Sequence, residues 1–198
     1  MNVRIAQTLV INAGTWFHEL EMNQYIIKLW MITQTIDPME QNIAFKRAKQ
    51  FIYGQLENTI FIDSDDPKCK EFALAGLDIT TLPGDPADQL IGIMLFHKLN
   101  AIMEGRIRLV EVEISAGDSV VYLHGEDETS EDFVQPDWWS SADLVHCDSN
   151  LIDPDKVVIL HQSSVWRDLD LSWPNINNLE ETGNTVVFAD FKSSDDTK

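Results

Sequence analysis

Only two cysteines, Cys69 and Cys147, occur in 198 residues. A disulfide framework is therefore excluded, and two reduced, small, apolar thiols are expected. No window holds 18 consecutive apolar residues, which removes a membrane-spanning helix and with it a membrane partner. Nine glycines and seven prolines are too few for a collagen-like or low-complexity chain. Positive charge is scarce: 14 Lys and Arg stand against 33 Asp and Glu, a formal net charge of −19 and a pI near 4.3. So negative a surface repels phosphate backbones and anionic headgroups, and direct nucleic-acid binding is not expected. G-x-S-x-G, Walker-type, G-x-G-x-x-G and H-E-x-x-H motifs are all missing. The amino terminus lacks the charged-then-apolar layout of a secretory signal, so cytoplasmic residence is expected.

What is present is an ordinary globular composition, 44% hydrophobic and 24% charged. The acids are unevenly spread. Residues 1–124 carry 16 acids and 10 bases, whereas residues 125–198 carry 17 acids and four bases. The chain divides on this reading into an α+β core, 1–124, and an acidic β-rich extension or lobe, 125–198, ending in a frayed polar tail, with the alternative that the two form one domain.

Asn2–Asn12 is rich in strand-forming residues and runs into Asn12-Ala13-Gly14, a turn signal, with Thr15–Leu20 as an answering strand. Tyr25–Thr33 is a dense apolar run whose Ile, Tyr and Trp content favours a strand. Asp37-Pro38-Met39-Glu40 places a capping carboxylate, a proline and an acid at the start of a helix. Ala44, Phe45, Ala48, Phe51, Ile52 and Leu56 give that helix one apolar stripe, with Lys46, Arg47 and Lys49 on a solvated face. Thr59–Ile62 is a short strand, and Asp66-Pro67 and Asp85-Pro86 repeat the capping signature. The second repeat opens an Ala87–Glu104 helix that is apolar nearly all round, hence central, with Gly105 as its terminal cap. Arg106–Ile114 and Ser119–His124 flank a hairpin signal at Ala116-Gly117-Asp118. The apolar phase slips from Ile107 and Leu109 to Val110, Val112 and Ile114, which requires a bulge or burial on both faces. Strands are also expected at Lys156–His161, Val165–Leu171 and Thr185–Phe191. The fold class expected is α+β: an antiparallel sheet packed against two main helices.

Three constellations bear on function. Asp63-Ser64-Asp65-Asp66 follows an apolar strand, where Asp63 and Asp65 offer two carboxylates for a divalent cation. Over four residues it resembles the opening motif of haloacid-dehalogenase-type phosphatases, departing from it at Pro67; the competing reading is a strand-to-helix turn capped by Asp66. His146, Cys147 and His161 are too sparse for structural zinc. The acidic run Gly125–Asp132, with Glu126, Asp127, Glu128, Glu131 and Asp132, leads to Trp138-Trp139, and carboxylates beside tryptophans suit recognition of a basic protein surface. The function expected is therefore that of an acidic non-catalytic binding protein, of inhibitor, immunity or nucleic-acid-mimic type, with no cofactor. A self-associating assembly subunit (a homo-oligomer) and a metal-dependent phosphate enzyme using Asp63 and Asp65 are the alternatives.

Overall fold

The computed structural model describes residues 3–117, 120–126, 134–144 and 166–174. Six strands form one sheet: β1 (Arg4–Trp16), β2 (Leu20–Thr33), β3 (Ile60–Asp63), β4 (Ile79–Leu82), β5 (Ile107–Ala116) and β6 (Tyr122–Gly125), in the order β4-β3-β1-β2-β5-β6. β1 pairs antiparallel with β2, β2 with β5 and β5 with β6. β3 lies parallel to β1 and β4 parallel to β3, so the sheet is mixed, not antiparallel as expected. The cause is the helical crossovers. α1 (Pro38–Phe51), extended by a π-helical turn Ile52–Leu56, carries the chain from β2 back to β1's free edge, and α2 (Lys68–Leu74) links β3 to β4.

β1 does not stop at the predicted turn. It runs straight through Asn12-Ala13-Gly14 because small residues are needed there for packing. A Cβ at Gly14 would stand 3.0 Å from Leu20 Cδ1 and 3.2 Å from Met22 Sδ. Gly14 N–H also donates to Thr59 O, stitching β1 to the segment entering β3. The phase slip in β5 is a bulge, opposite Trp30 and Met31 of β2, after which Val112 and Ile114 return to the buried face.

Alternation divides the sheet's faces. Leu9, Ile11 and Ala13 of β1, Tyr25, Ile27, Leu29 and Met31 of β2, and Leu109, Val112 and Ile114 of β5 meet α1 and α3 (Asp88–Met103) in the main core. Ile60, Ile62 and Ile79 point the other way and form a smaller cluster with Cys69, packed against by Trp16 and Phe72. Asp37 Oδ1 accepts the Met39 N–H at 2.8 Å, the predicted cap of α1. Asp66 Oδ1 accepts the Lys68 N–H at 2.7 Å in the same way. At α3 the prediction shifts: Ala87 is the N-cap, and its N–H bonds back to Asp85 O. α3 ends with Glu104 and Gly105 both at positive φ, the left-handed termination read from the sequence.

The segment after β6 is joined to the core. Trp138, Trp139, Leu144, Trp166 and Leu171 all belong to the main cluster. Residues 166–170 form turns, not the strand expected at Val165–Leu171. The strands expected at 156–161 and 185–191 lie outside the described residues.

Candidate functional site

The site residues named from the sequence separate under the structure. Trp138 and Trp139, placed on α4 (Asp137–Ser140), are 6% and 0% exposed. Trp139 stacks against His97 of α3 with the rings 17° apart, and Trp138 lies edge-on to Trp139. They are core, not a recognition surface. Glu126 is exposed and ion-paired with Arg108 at 2.6 Å. Asp127, Glu128, Glu131 and Asp132 lie outside the described residues, as do His146, Cys147 and His161. Asp63 Oδ1 accepts the Asp65 N–H at 2.9 Å, and Asp66 Oδ2 accepts from Trp16 Nε1 at 3.1 Å, so these carboxylates close a turn. Among the described residues no group of three or more His, Cys, Asp or Glu side chains is gathered to hold a metal.

Two cations are buried among the described residues. Arg47, expected in solvent, is 3% exposed. Its Nε donates to Leu171 O at 2.8 Å, and Nη1 donates to Ile102 O at 3.3 Å and to Glu104 Oε1 at 2.6 Å. Its guanidinium lies 3.9 Å from the Trp173 ring centre and 4.8 Å from that of Trp166, and Arg106 covers Trp173 too, at 4.3 Å. Burial pulls the Arg47 pKa below its ordinary value, and Glu104 opposes that pull. Lys98 of α3 is fully buried and spends its three N–H donors on the carbonyls of Trp138, Ser141 and Asp143, at 2.9, 2.9 and 2.5 Å. Desolvation pushes it down to about 8, with Asp143 pulling the other way. The spacing held the signal: Arg47 falls three residues after Ala44 and four before Phe51, and Lys98 four after Met94 and four before Ile102, so both sit on buried stripes.

One cleft opens at the edge of β5. Among the described residues β6 pairs only with Glu111–Ile114, so the stretch from Ile107 to Leu109, paired with β2 on one side, has no strand on its other side. Asn100 of α3 fills part of that role: its Oδ1 accepts the Leu109 N–H at 2.9 Å and its Nδ2 donates to Leu109 O at 3.2 Å. Beside it lies an open cleft of about 570 Å³, walled by Phe96 and Ile107 and rimmed by Gln34, Gly105, Arg108 and Glu126. His124 backs the Phe96 wall, its ring 5.0 Å away and edge-on. Apolar contact, an amide and charges of both signs thus converge on one concavity.

This arrangement, a mixed six-stranded sheet with two long helices on one face, is a fold found in solved proteins. The uncharacterized protein WS1659 from Wolinella succinogenes aligns with a TM-score of 0.50 and 13% identity, over 64% of this chain and 99% of that one. A 6-pyruvoyltetrahydropterin synthase from Plasmodium vivax (TM-score 0.43, 14% identity, 63% of this chain and 97% of that one) and one from Caenorhabditis elegans (TM-score 0.43, 11% identity, 64% and 97%) align more loosely. No protein-family model and no curated protein matches the sequence. The expectation of an acidic, non-catalytic inhibitor or nucleic-acid mimic is corrected. Its two tryptophans are interior, part of the main core cluster, and offer no recognition surface.

Proposed function

We propose that this chain binds a small polar molecule in the cleft at the β5 edge. The observation that supports the reading is the meeting there of an apolar wall, Phe96 and Ile107, with the Arg108–Glu126 ion pair and the Gln34 amide. Both members of that pair are partly solvent-exposed, so their mutual attraction is weak and a ligand replaces one of them at little cost. The test is a ligand-observed NMR screen of polar fragments, repeated on Arg108→Ala. Cleft binders weakened roughly tenfold or more by the substitution support the reading. Fragments that bind equally well to both proteins overturn it.

A second reading concerns assembly and leaves the first intact. The face of β1, β2 and β6 turned away from α1 and α3 exposes Val10, Leu20, Met22, Trp30 and Leu123. Near its middle Lys28 and Glu113 form an ion pair at 2.7 Å, and Trp30 Nε1 donates to the same carboxylate at 2.9 Å. Apolar surface around a neutralised centre supports a homo-oligomer. Light scattering at micromolar concentration checks it: a mass that is a multiple of 22.6 kDa is expected, and a clean monomer contradicts it. Cytoplasmic residence belongs to the same proposal and is checked by cell fractionation; among the described residues no helix is long and apolar enough to cross a membrane.

A further inference from the structure

We infer that residues 134–144 form an acid-released arm, docked on α3 while His97 is neutral and set free when His97 takes up a proton. Two consecutive residues of α3 hold the arm. His97 stacks on Trp139, and its Nε2 lies 3.2 Å from Gln135 Nε2, at hydrogen-bonding distance from that side-chain amide. Lys98 crosses to three of the arm's carbonyls. Across from His97, on β6, sits the buried His124, with 6.2 Å between the ring centres. The ionisable groups on the elements that pack together here are Asp88, His97 and Lys98 of α3, Tyr122 and His124 of β6, Asp137 and Asp143 of the arm, Arg108, Glu111 and Glu113 of β5, and Glu40, Lys46, Arg47 and Lys49 of α1. The charge that acts on His97 is that of His124, while Asp143 acts on Lys98.

The sign follows from linkage. Burial first, and His124 second, hold the His97 pKa below its ordinary value. An arm that has lifted away returns the imidazole to that ordinary value of about 6.5. Below it the lifted form binds more protons than the docked form, so docking weakens as the pH falls. Lys98 adds no sensitivity in this range. Its docked pKa of about 8 is also depressed, so its contribution changes between about 8 and 10.5 and is constant below. The three carbonyls share one ammonium, so they leave together, and the opening uncovers Trp138 and Trp139 as a unit.

The test is hydrogen exchange with mass-spectrometric readout on the full chain at pH 7.5 and 5.0, as protection factors corrected for intrinsic rates. Protection across 137–144 is expected to fall roughly tenfold at pH 5.0 while β1 and β2 keep theirs, and the fall is expected to vanish in His97→Gln, which cannot charge. Unchanged protection, a parallel loss in β1 and β2, or an undiminished fall in His97→Gln overturns the inference. Should that variant not fold, NMR titration of the wild-type His97 ring decides. The Trp139 amide shift must share its midpoint, and a different midpoint refutes the coupling.

Discussion

At the scale of single residues, the molecule is organised by cations placed inside. Arg47 and Lys98 each replace lost hydration with three oxygen acceptors, and each pins a segment distant in sequence: Arg47 holds 166–174, Lys98 holds 134–144. Arg47→Ala leaves Glu104 and two carbonyls without the Arg47 donor and Trp166 without its cation, while Arg106 still covers Trp173. A loss of about 3 kcal/mol in urea unfolding is expected, with faster exchange confined first to 166–174. Lys98→Met trades desolvation against three orphaned carbonyls; the orphaned acceptors dominate, and a loss of about 2 kcal/mol at pH 7 is expected. The pH profile separates charge from shape. The folded Lys98 pKa of about 8 lies below the unfolded value, so wild-type stability rises between pH 8 and about 10.5 from this group. Lys98→Met loses that rise, and a profile that keeps it contradicts the assignment.

At the scale of elements, much of the fold was legible because local signals and packing agree. The Asp37-Pro38 cap, the β5 phase slip and the Glu104–Gly105 termination each express one local constraint and appear where the residues place them. The departures arise where tertiary contact overrides a local cue or where no local cue exists. Asn12-Ala13-Gly14 reads as a turn, yet smallness there serves the close approach of Leu20 and Met22. Parallel pairing of β3 was invisible because a four-residue strand carries no mark of its partner's direction. The cleft was likewise illegible: Gln34, Phe96 and Arg108 acquire meaning only when α3 crosses β5. That crossing is close. A Cβ on Gly92 would stand 3.0 Å from Tyr122 Cδ1 and 3.2 Å from Ile114 Cγ2, so Gly92→Val is expected to cost about 2 kcal/mol, whereas Asp37→Ala at the exposed cap costs about 1. Thermal or urea denaturation ranks the pair, and the reverse order contradicts this packing.

At the scale of the whole molecule, the net charge of −19 suggested a partner-directed exterior, but net charge governs solubility and encounter, not which surface acts. With both indoles of Trp138-Trp139 inside, a surface feature among the described residues that combines shape with varied chemistry is the cleft beside β5. The most direct check is amide chemical-shift mapping of the full chain against polar fragments. The account predicts shifts gathered at Gln34, Phe96, Asn100, Ile107 and Arg108. Shifts gathered instead on the open sheet face around Val10 and Trp30, or none anywhere at millimolar fragment, would contradict it.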